Sequence, residues 1–236
     1  MPRSSSTAST RKPGNGAKQR LLRTLVCTDA QEQALRAQGY CCIAGVDEVG
    51  RGALFGPVVA AAVVLPQQPD GLHGLRDSKQ LTQRERERLD AAIRSVARGV
   101  SVVEVDAATI DDINIYQATR QAMTQAVLAL ETPPDHLLID AMRLDLPCPQ
   151  TSLIHGDALS LSIAAASVVA KVYRDRLMEQ LDRLHPGYGL AAHKGYGTAR
   201  HLQALRALGP LPLHRHSFAP VRLAAAAPAT GNGIPA

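Results

Sequence analysis

The chain has 236 residues, of which 45% are hydrophobic and only 3% aromatic, with no Trp. No apolar run reaches the roughly 18 residues that a membrane-spanning helix needs, so we expect no membrane association. The net charge of +5 and the pI near 9.2 are compatible with a polyanionic partner. Its four cysteines, Cys27, Cys41, Cys42 and Cys148, show no metal-binding or redox spacing, which predicts reduced thiols and a cytoplasmic location.

The two ends of the chain differ in composition from its middle. Residues 1–23 carry six Lys or Arg and no acid, among many Ser, Thr and Gly. This composition predicts a disordered basic arm, although an organellar transit peptide has a similar composition. We assign the arm to residues 1–39 and a flexible tail, rich in Ala, Gly and Pro, to residues 223–236. Residues 40–222 are expected to form one folded domain.

Between the ends, the hydrophobic pattern predicts an α/β fold. Strands are expected near residues 42–48, 57–65, 100–105, 137–140 and 152–155. Thr82 and Glu85 have the spacing of a capping box, which predicts a helix from there toward Val96. Apolar periodicity predicts further helices over residues 114–130, 159–184 and 198–208. Three early strands, followed by strands separated by helices, favour a mixed sheet with helices packed on it.

The first predicted strand ends in two adjacent acids, Asp47 and Glu48, followed by Gly50, Arg51 and Gly52. Neighbouring carboxylates repel each other unless a cation or solvent relieves the repulsion. The turn adds unshielded backbone N–H groups and a guanidinium, which suit a phosphate or a ribose. A hairpin loop with a solvated acidic pair explains this segment, taken alone, equally well.

Two further acids end apolar segments later in the chain. Asp140 follows the predicted strand at 137–140, and Asp157 follows the one at 152–155 and precedes a predicted helix. Asp157 has an alternative interpretation as a helix N-cap. Four acids at three strand ends nevertheless favour one shared site, and oxygen ligands without a His or Cys pattern favour Mg²⁺ or Mn²⁺.

Several segments, in order along the chain, resemble the signature of the ribonuclease HII family. They are GVDEVGRG at 45–52, LFGPVVAAAV at 54–63, DSKQL at 77–81, GD at 156–157, SIAAAS at 162–167, AKV at 170–172, RD at 174–175, HKGYGT at 193–198 and HRHSFAPV at 214–221. The similarity extends from about residue 44 to residue 221. One position departs from the pattern, since His155 stands where family members commonly carry Lys.

The resemblance implies a ribonuclease H-like mixed sheet flanked by helices, with a C-terminal helical segment, and makes residues 40–222 the catalytic domain. It implies an endonuclease that hydrolyses the RNA strand of RNA–DNA hybrids and cuts at ribonucleotides embedded in duplex DNA. The expected mechanism uses two divalent ions, Mn²⁺ or Mg²⁺, and leaves 3′-hydroxyl and 5′-phosphate ends. Asp47, Glu48 and Asp140 would be catalytic metal ligands, with Asp157 completing the site.

The resemblance also assigns substrate contacts. The turn formed by Gly50, Arg51 and Gly52 would recognise the ribose, whose 2′-OH distinguishes RNA from DNA. Tyr196 would stack on the sugar at the RNA–DNA junction; alternatively, it is a half-buried loop aromatic with a locally bonded hydroxyl. The candidate phosphate contacts are Lys79, Lys171 and Lys194. Alternatively, each is a solvated surface charge, and Lys171 only packs on its helix.

Two other functions remain open at this point. Ribonuclease HIII prefers longer hybrids, but that family usually carries a folded N-terminal substrate-binding domain, which a low-complexity arm does not supply. A non-catalytic nucleic-acid-binding protein is disfavoured because four acids would repel the phosphate backbone. We expect a monomer that acts on RNA–DNA hybrids and on DNA duplexes containing ribonucleotides.

Overall fold

A five-stranded mixed sheet organises the computed structural model, which describes residues 25–226. Its strands are β1 Ile43–Val49, β2 Val58–Val64, β3 Gly99–Val105, β4 His136–Asp140 and β5 Gln150–Leu153, in the spatial order β3-β2-β1-β4-β5. Strand β2 is antiparallel to both β1 and β3, whereas β4 is parallel to β1 and to β5. All five predicted strands are present, each displaced by at most two residues.

Seven helices surround the sheet in the described part of the chain. They are α1 Ala30–Arg36, α2 Gln83–Val96, α3 Ala107–Leu128, α4 Leu161–Leu184, α5 Leu190–His193, α6 Ala199–Leu208 and α7 Ala219–Ala226. The predicted capping box is formed by Thr82 and Glu85. Helix α3 is interrupted at Asn114, whose φ of 68° is left-handed. The helix predicted to start at residue 114 therefore corresponds only to the second half of α3. None of these helices is both long and apolar enough to cross a membrane.

Two predicted boundaries need correction. Residues 25–39 do not belong to a disordered arm, because α1 packs on the domain with Glu32 and Leu35 buried. Thr28 also forms a β-bridge with Ser160. At the other end α7 continues through residue 226, past the predicted start of the tail at 223. Composition predicted unstructured ends, because the tertiary contacts that order these residues cannot be read from composition. The rest of both predicted ends lies outside the described residues.

The core lies on both faces of the central strands. Every residue of β2 is buried, as its continuous apolar sequence predicts. Helix α3 covers one face, and α2 and α4 cover the other. A Cβ on Gly45 would lie 2.0 Å from the carbonyl carbon of Ser162. Glycine in β1 therefore lets the first turn of α4 approach the backbone next to the acidic strand end.

Candidate active site

The fold brings the four predicted acids together at one end of the sheet. Asp47 and Glu48 lie near the carboxyl end of β1, and Asp140 is the last residue of β4. The parallel register pairs Val46 with Ile139, which makes Asp47 and Asp140 the next neighbours along the two strands. Asp157 lies in a 3-10 turn, Gly156–Ala158, between β5 and α4. Three separate segments thus contribute to one acidic cluster.

Asp47 occupies the centre of this cluster. It is only 4% exposed, and its Oδ1 accepts a hydrogen bond of 2.8 Å from the backbone N–H of Glu48. Burial raises the pKa of Asp47 well above its ordinary value, and the charges of Glu48, Asp140 and Asp157 raise it further. All three other acids are therefore close enough to Asp47 to disfavour its negative charge.

Each of the other acids has a partner within the protein. Glu48 Oε1 lies 3.3 Å from Arg51 Nη1, and Asp140 Oδ1 accepts a 2.7 Å hydrogen bond from the N–H of Gly156. Burial raises the pKa of both carboxyls, while Arg51 acts against this shift at Glu48 and the Gly156 N–H does so at Asp140.

The donor set fits a hard divalent cation. It consists of carboxylate oxygens, the ligands that Mg²⁺ and Mn²⁺ prefer. Burial raises the pKa of Asp47, Glu48 and Asp140, and neighbouring carboxylates add to the shift, so a cation would favour their charged forms. As the side chains stand within residues 25–226, no group of three or more His, Cys, Asp or Glu is arranged so that it could hold a metal ion. The acids instead bond to protein partners, so metal ions would compete with those partners for the carboxylate oxygens.

The turn formed by Gly50, Arg51 and Gly52, here the glycine turn, lies against Tyr196. Ala53 forms an antiparallel bridge with Tyr196, and a Cβ on Gly52 would stand 3.9 Å from the tyrosine ring. Gly50 has a φ of 92°, and a Cβ there would meet the Arg174 guanidinium at 2.3 Å. Glycine is required at position 50 for both reasons. The structure thus places the two predicted ribose contacts side by side.

Tyr196 presents part of its ring to solvent, with 37% of the residue exposed. Its hydroxyl forms no hydrogen bond with the part of the chain that the structure describes, which disfavours the alternative of a locally bonded loop aromatic. The Arg174 guanidinium lies 5.7 Å from the ring centroid, a distance typical of a cation–π contact.

The three predicted lysines occupy different environments. Lys79 lies at the acidic cluster, with Nζ 3.0 Å from Asp157 Oδ2. Lys171 is instead paired with Asp175 at 2.5 Å, so its charge is compensated inside the fold, as a packing role would require. Lys194 is paired with Glu179 at 2.7 Å, close to the tyrosine loop rather than to the acids.

Sequence reasoning missed two buried guanidiniums beside the glycine turn. Arg174 and Arg215 are fully buried and hold backbone carbonyls rather than carboxylates. Arg174 donates to the carbonyls of Phe55, Pro57 and Lys194, and Arg215 donates to those of Arg51 and Gly56. Both arginines lie in segments that resemble the family signature, but Arg side chains are mostly exposed in proteins, so their burial could not be predicted from sequence.

Comparison with known proteins identifies the family. The sequence profile described as Ribonuclease HII matches residues 44–221. The chain belongs to the ribonuclease HII family. The ribonuclease HII of Koribacter versatilis is 55% identical over 89% of this chain and 82% of its own length. That of Geobacillus kaustophilus is 58% identical over 81% of this chain and 73% of its own. The crystal structure of ribonuclease H2 from Pyrococcus horikoshii superposes with a TM-score of 0.67, at 25% identity, over 78% of this chain and 97% of that one.

Membership of the ribonuclease HII family confirms several predictions. The family consists of metal-dependent endoribonucleases that cleave the RNA of RNA–DNA hybrids, so the enzyme class, the hybrid substrate and the need for a divalent metal are as expected. The ribonuclease H-like fold is confirmed as well. The curated relatives favour ribonuclease HII over ribonuclease HIII. Because the family consists of enzymes, membership also argues against a non-catalytic nucleic-acid-binding protein.

Proposed function

We propose that the protein also cuts at ribonucleotides embedded in duplex DNA, and that it leaves 3′-hydroxyl and 5′-phosphate ends. One observation supports the proposal above all. Burial and the charges of three other acids, Glu48, Asp140 and Asp157, raise the pKa of Asp47, which lies near the glycine turn and the partly exposed ring of Tyr196. A cluster of carboxylates beside a glycine turn and an exposed aromatic ring suits metal-assisted phosphodiester hydrolysis at a ribonucleotide.

Asp47, Glu48, Asp140 and Asp157 would hold two divalent ions, Mg²⁺ or Mn²⁺. When bound, such ions activate a water molecule and stabilise the leaving oxygen of the phosphodiester. Asp47 would be the central ligand of this set, because the other three acids all act on its charge. The N–H of Gly156 orients Asp140 through its 2.7 Å hydrogen bond, which keeps that carboxylate facing the cluster.

The glycine turn and Tyr196 would select the ribonucleotide. Backbone groups of Gly50 and Gly52 can approach a 2′-OH closely because no side chain shields them. The exposed ring of Tyr196 would stack on the sugar that follows, at the RNA–DNA junction. A fully deoxy duplex offers no 2′-OH, so it would bind without being cut.

Phosphate contacts would come mainly from Lys79 and Lys194. The side chain of Lys79 is 75% exposed, so its ammonium can turn from Asp157 toward a phosphate. Lys194 precedes Tyr196 by two residues and would reach the backbone of the same nucleotides. The ion pairs of Lys171 with Asp175 and of Lys194 with Glu179 would both have to break before either lysine contacts a phosphate.

Cleavage of three labelled duplexes tests the proposal: a continuous hybrid, a DNA duplex with one ribonucleotide, and an all-DNA duplex. With Mg²⁺ or Mn²⁺ the first two should be cut and the third should not, and chelator should stop both reactions. Asp157→Asn should lower cleavage, whereas Asp70→Asn should not, because Asp70 is exposed and outside the cluster. Products with a 2′,3′-cyclic phosphate, or equal cutting of all-DNA duplex, would overturn the proposal.

A further inference from the structure

A pair of buried histidines lies behind the tyrosine loop. His201 in α6 and His214 in the segment after α6 are both fully buried. Their Nε2 atoms are 3.2 Å apart, which is a hydrogen-bonding distance. Burial lowers the pKa of both rings, that of His214 to about 3, so both are neutral at neutral pH. One ring must therefore donate and the other accept.

The remaining hydrogen bonds fix which ring donates. The backbone N–H of Leu211 donates to His214 Nδ1 at 2.8 Å, so the proton of His214 is on Nε2. His201 Nδ1 lies 3.0 Å from the carbonyl oxygen of Tyr196, which only accepts, so His201 carries its proton on Nδ1. His214 Nε2–H thus donates to His201 Nε2. A continuous chain of hydrogen bonds runs from Leu211 to the backbone of Tyr196.

The neighbour of His214 contacts the glycine turn. Arg215 Nη1 donates to the carbonyl of Arg51 at 2.8 Å, and its Nε donates to that of Gly56 at 3.0 Å. His214 itself forms a β-bridge with Phe55. Two consecutive residues therefore hold both parts of the predicted ribose site: His214 holds Tyr196 through His201, and Arg215 holds Arg51.

We propose that His201, His214 and Arg215 are positioning residues that set the distance between Tyr196 and the glycine turn. Through that distance they determine selectivity for a single embedded ribonucleotide. The inference rests on the proposed function of Tyr196 and the turn. Neither histidine touches the substrate; each acts through the backbone of the loop that does.

Selectivity is the property that this spacing controls. At a single ribonucleotide, the turn must hold the one available 2′-OH while Tyr196 stacks on the following sugar. A continuous hybrid offers a 2′-OH at every RNA position, so a displaced tyrosine finds an acceptable register more easily. Loosening the histidine pair should slow cleavage at the single ribonucleotide more than cleavage of the continuous hybrid.

The test is His214→Asn. Its amide oxygen can still accept from the N–H of Leu211, but the side chain is too short to reach His201. The ratio of kcat/KM for the single ribonucleotide to kcat/KM for the hybrid should fall about five- to tenfold, the order expected for one buried hydrogen bond. His185→Asn is the matched control, because His185 also contacts Phe55, with ring centroids 6.2 Å apart, but lies outside the hydrogen-bond chain.

A double substitution separates positioning from a general loss of stability. In a Tyr196→Ala background, His214→Asn should leave the selectivity ratio unchanged, since no ring remains to be positioned. If the two effects instead multiply, or if His214→Asn alone leaves the ratio unchanged while Tyr196→Ala lowers it, the inference is overturned. If Tyr196→Ala itself leaves the ratio unchanged, the proposed role of Tyr196 fails first, and the inference fails with it.

A second pair of variants covers the case in which His214→Asn does not fold. His201→Asn keeps a side-chain N–H that can donate to the Tyr196 carbonyl, whereas His201→Ala does not. Selectivity should fall less in His201→Asn than in His201→Ala. Equal losses in the two variants would overturn the inference.

Discussion

Lys79 donates a hydrogen bond of 3.0 Å from Nζ to Asp157 Oδ2, although its side chain is 75% exposed and that of Asp157 only 6%. Burial alone would lower the pKa of this lysine, but Asp157 and Asp77 raise it above the ordinary value. Lys79 is therefore a permanent cation at the edge of the acidic cluster. It would compete with a metal ion for Asp157, and its exposed ammonium is accessible to a phosphate.

Replacing Lys79 should separate these two effects. In Lys79→Gln, divalent ions should bind the free protein more tightly, because one competing cation is removed. Cleavage of the hybrid should have a higher KM, because a phosphate contact is lost. Calorimetric titration with Mn²⁺ and steady-state kinetics measure the two quantities. Arg94→Gln, which removes a cation paired with Asp90 instead, is the control and should change neither. Weaker Mn²⁺ binding in Lys79→Gln would contradict this account of the lysine.

The raised pKa of Asp47 predicts a pH-dependent cost in stability without metal. As pH rises above the ordinary carboxyl pKa of 3.8, the unfolded chain releases this proton before the folded protein does. Stability then falls with rising pH, up to the raised pKa of the folded state. Asp47→Asn should therefore raise the melting temperature in chelator near pH 7, and change it little near pH 4.

The buried histidines have the opposite pH dependence, so the comparison must be between two proteins. Their lowered pKa values reduce stability as pH falls below the ordinary value of 6.5. The difference in melting temperature between Asp47→Asn and the unchanged protein cancels the contribution of the histidines, which is the same in both proteins. Asp70→Asn, at an exposed position, should leave melting unchanged at both pH values. If Asp47→Asn instead lowers the melting temperature near pH 7, the carboxylate stabilises the fold and the prediction is wrong.

Tyr196→Ala should slow cleavage at a single embedded ribonucleotide about tenfold to a hundredfold, because stacking contributes on the order of 1–3 kcal/mol. Binding to plain duplex should weaken much less. Tyr196→Phe keeps the ring and should retain most of the activity, because the hydroxyl has no hydrogen-bond partner within residues 25–226. Equal losses on every substrate would identify Tyr196 as a packing residue.

Truncations from the amino terminus should affect stability differently, depending on whether they remove helix α1. A disordered arm at residues 1–39, as composition predicts, could be deleted without loss of folding. The deletion instead removes buried Leu35 and Glu32, and Glu32 accepts hydrogen bonds from Ser160 and Ser162 at the start of α4. That deletion should lower the melting temperature markedly, and Leu35→Ala alone should cost about 2–5 kcal/mol.

Deleting residues 1–24 instead should leave melting unchanged. If their positive charges contact phosphates, each lost contact should flatten the plot of log affinity against log salt by about 0.9. Binding of the hybrid to the Asp140→Asn protein at several salt concentrations measures this slope. An unchanged slope would exclude these residues as a binding element and favour the transit-peptide alternative.

The strands and the four acids could be predicted because their signals are local. Alternating or continuous apolar runs mark the strands, and an acid at a strand end needs only a few neighbouring residues to be noticed. The sequence also predicted the capping box of α2 for the same reason. The sequence predicted one shared site for the acids but not the strand order: that β1 lies next to β4, and so places Asp47 beside Asp140, depends on long-range pairing.

The features that were missed depend on distant contacts. Helix α1 is short, and its two buried residues matter only because α4 and β1 lie beside them. Arg174 and Arg215 resemble surface arginines in sequence, yet both bind carbonyls of the same loop, more than 100 residues away in the chain. The hydrogen bond between His201 and His214 likewise requires the folded backbone.

If the acidic cluster performs metal-dependent cleavage while other residues bind the substrate, a substitution in the cluster should separate cleavage from binding. Single-turnover cleavage and equilibrium binding of one labelled hybrid by Asp140→Asn measure the two activities. Cleavage should be abolished, because a metal ligand is lost. Hybrid binding should be unchanged or tighter, because one charge that repels phosphate is removed. Turnover at the rate of the unchanged protein, in Asp140→Asn or in excess chelator, would contradict the assignment of these acids as the metal site.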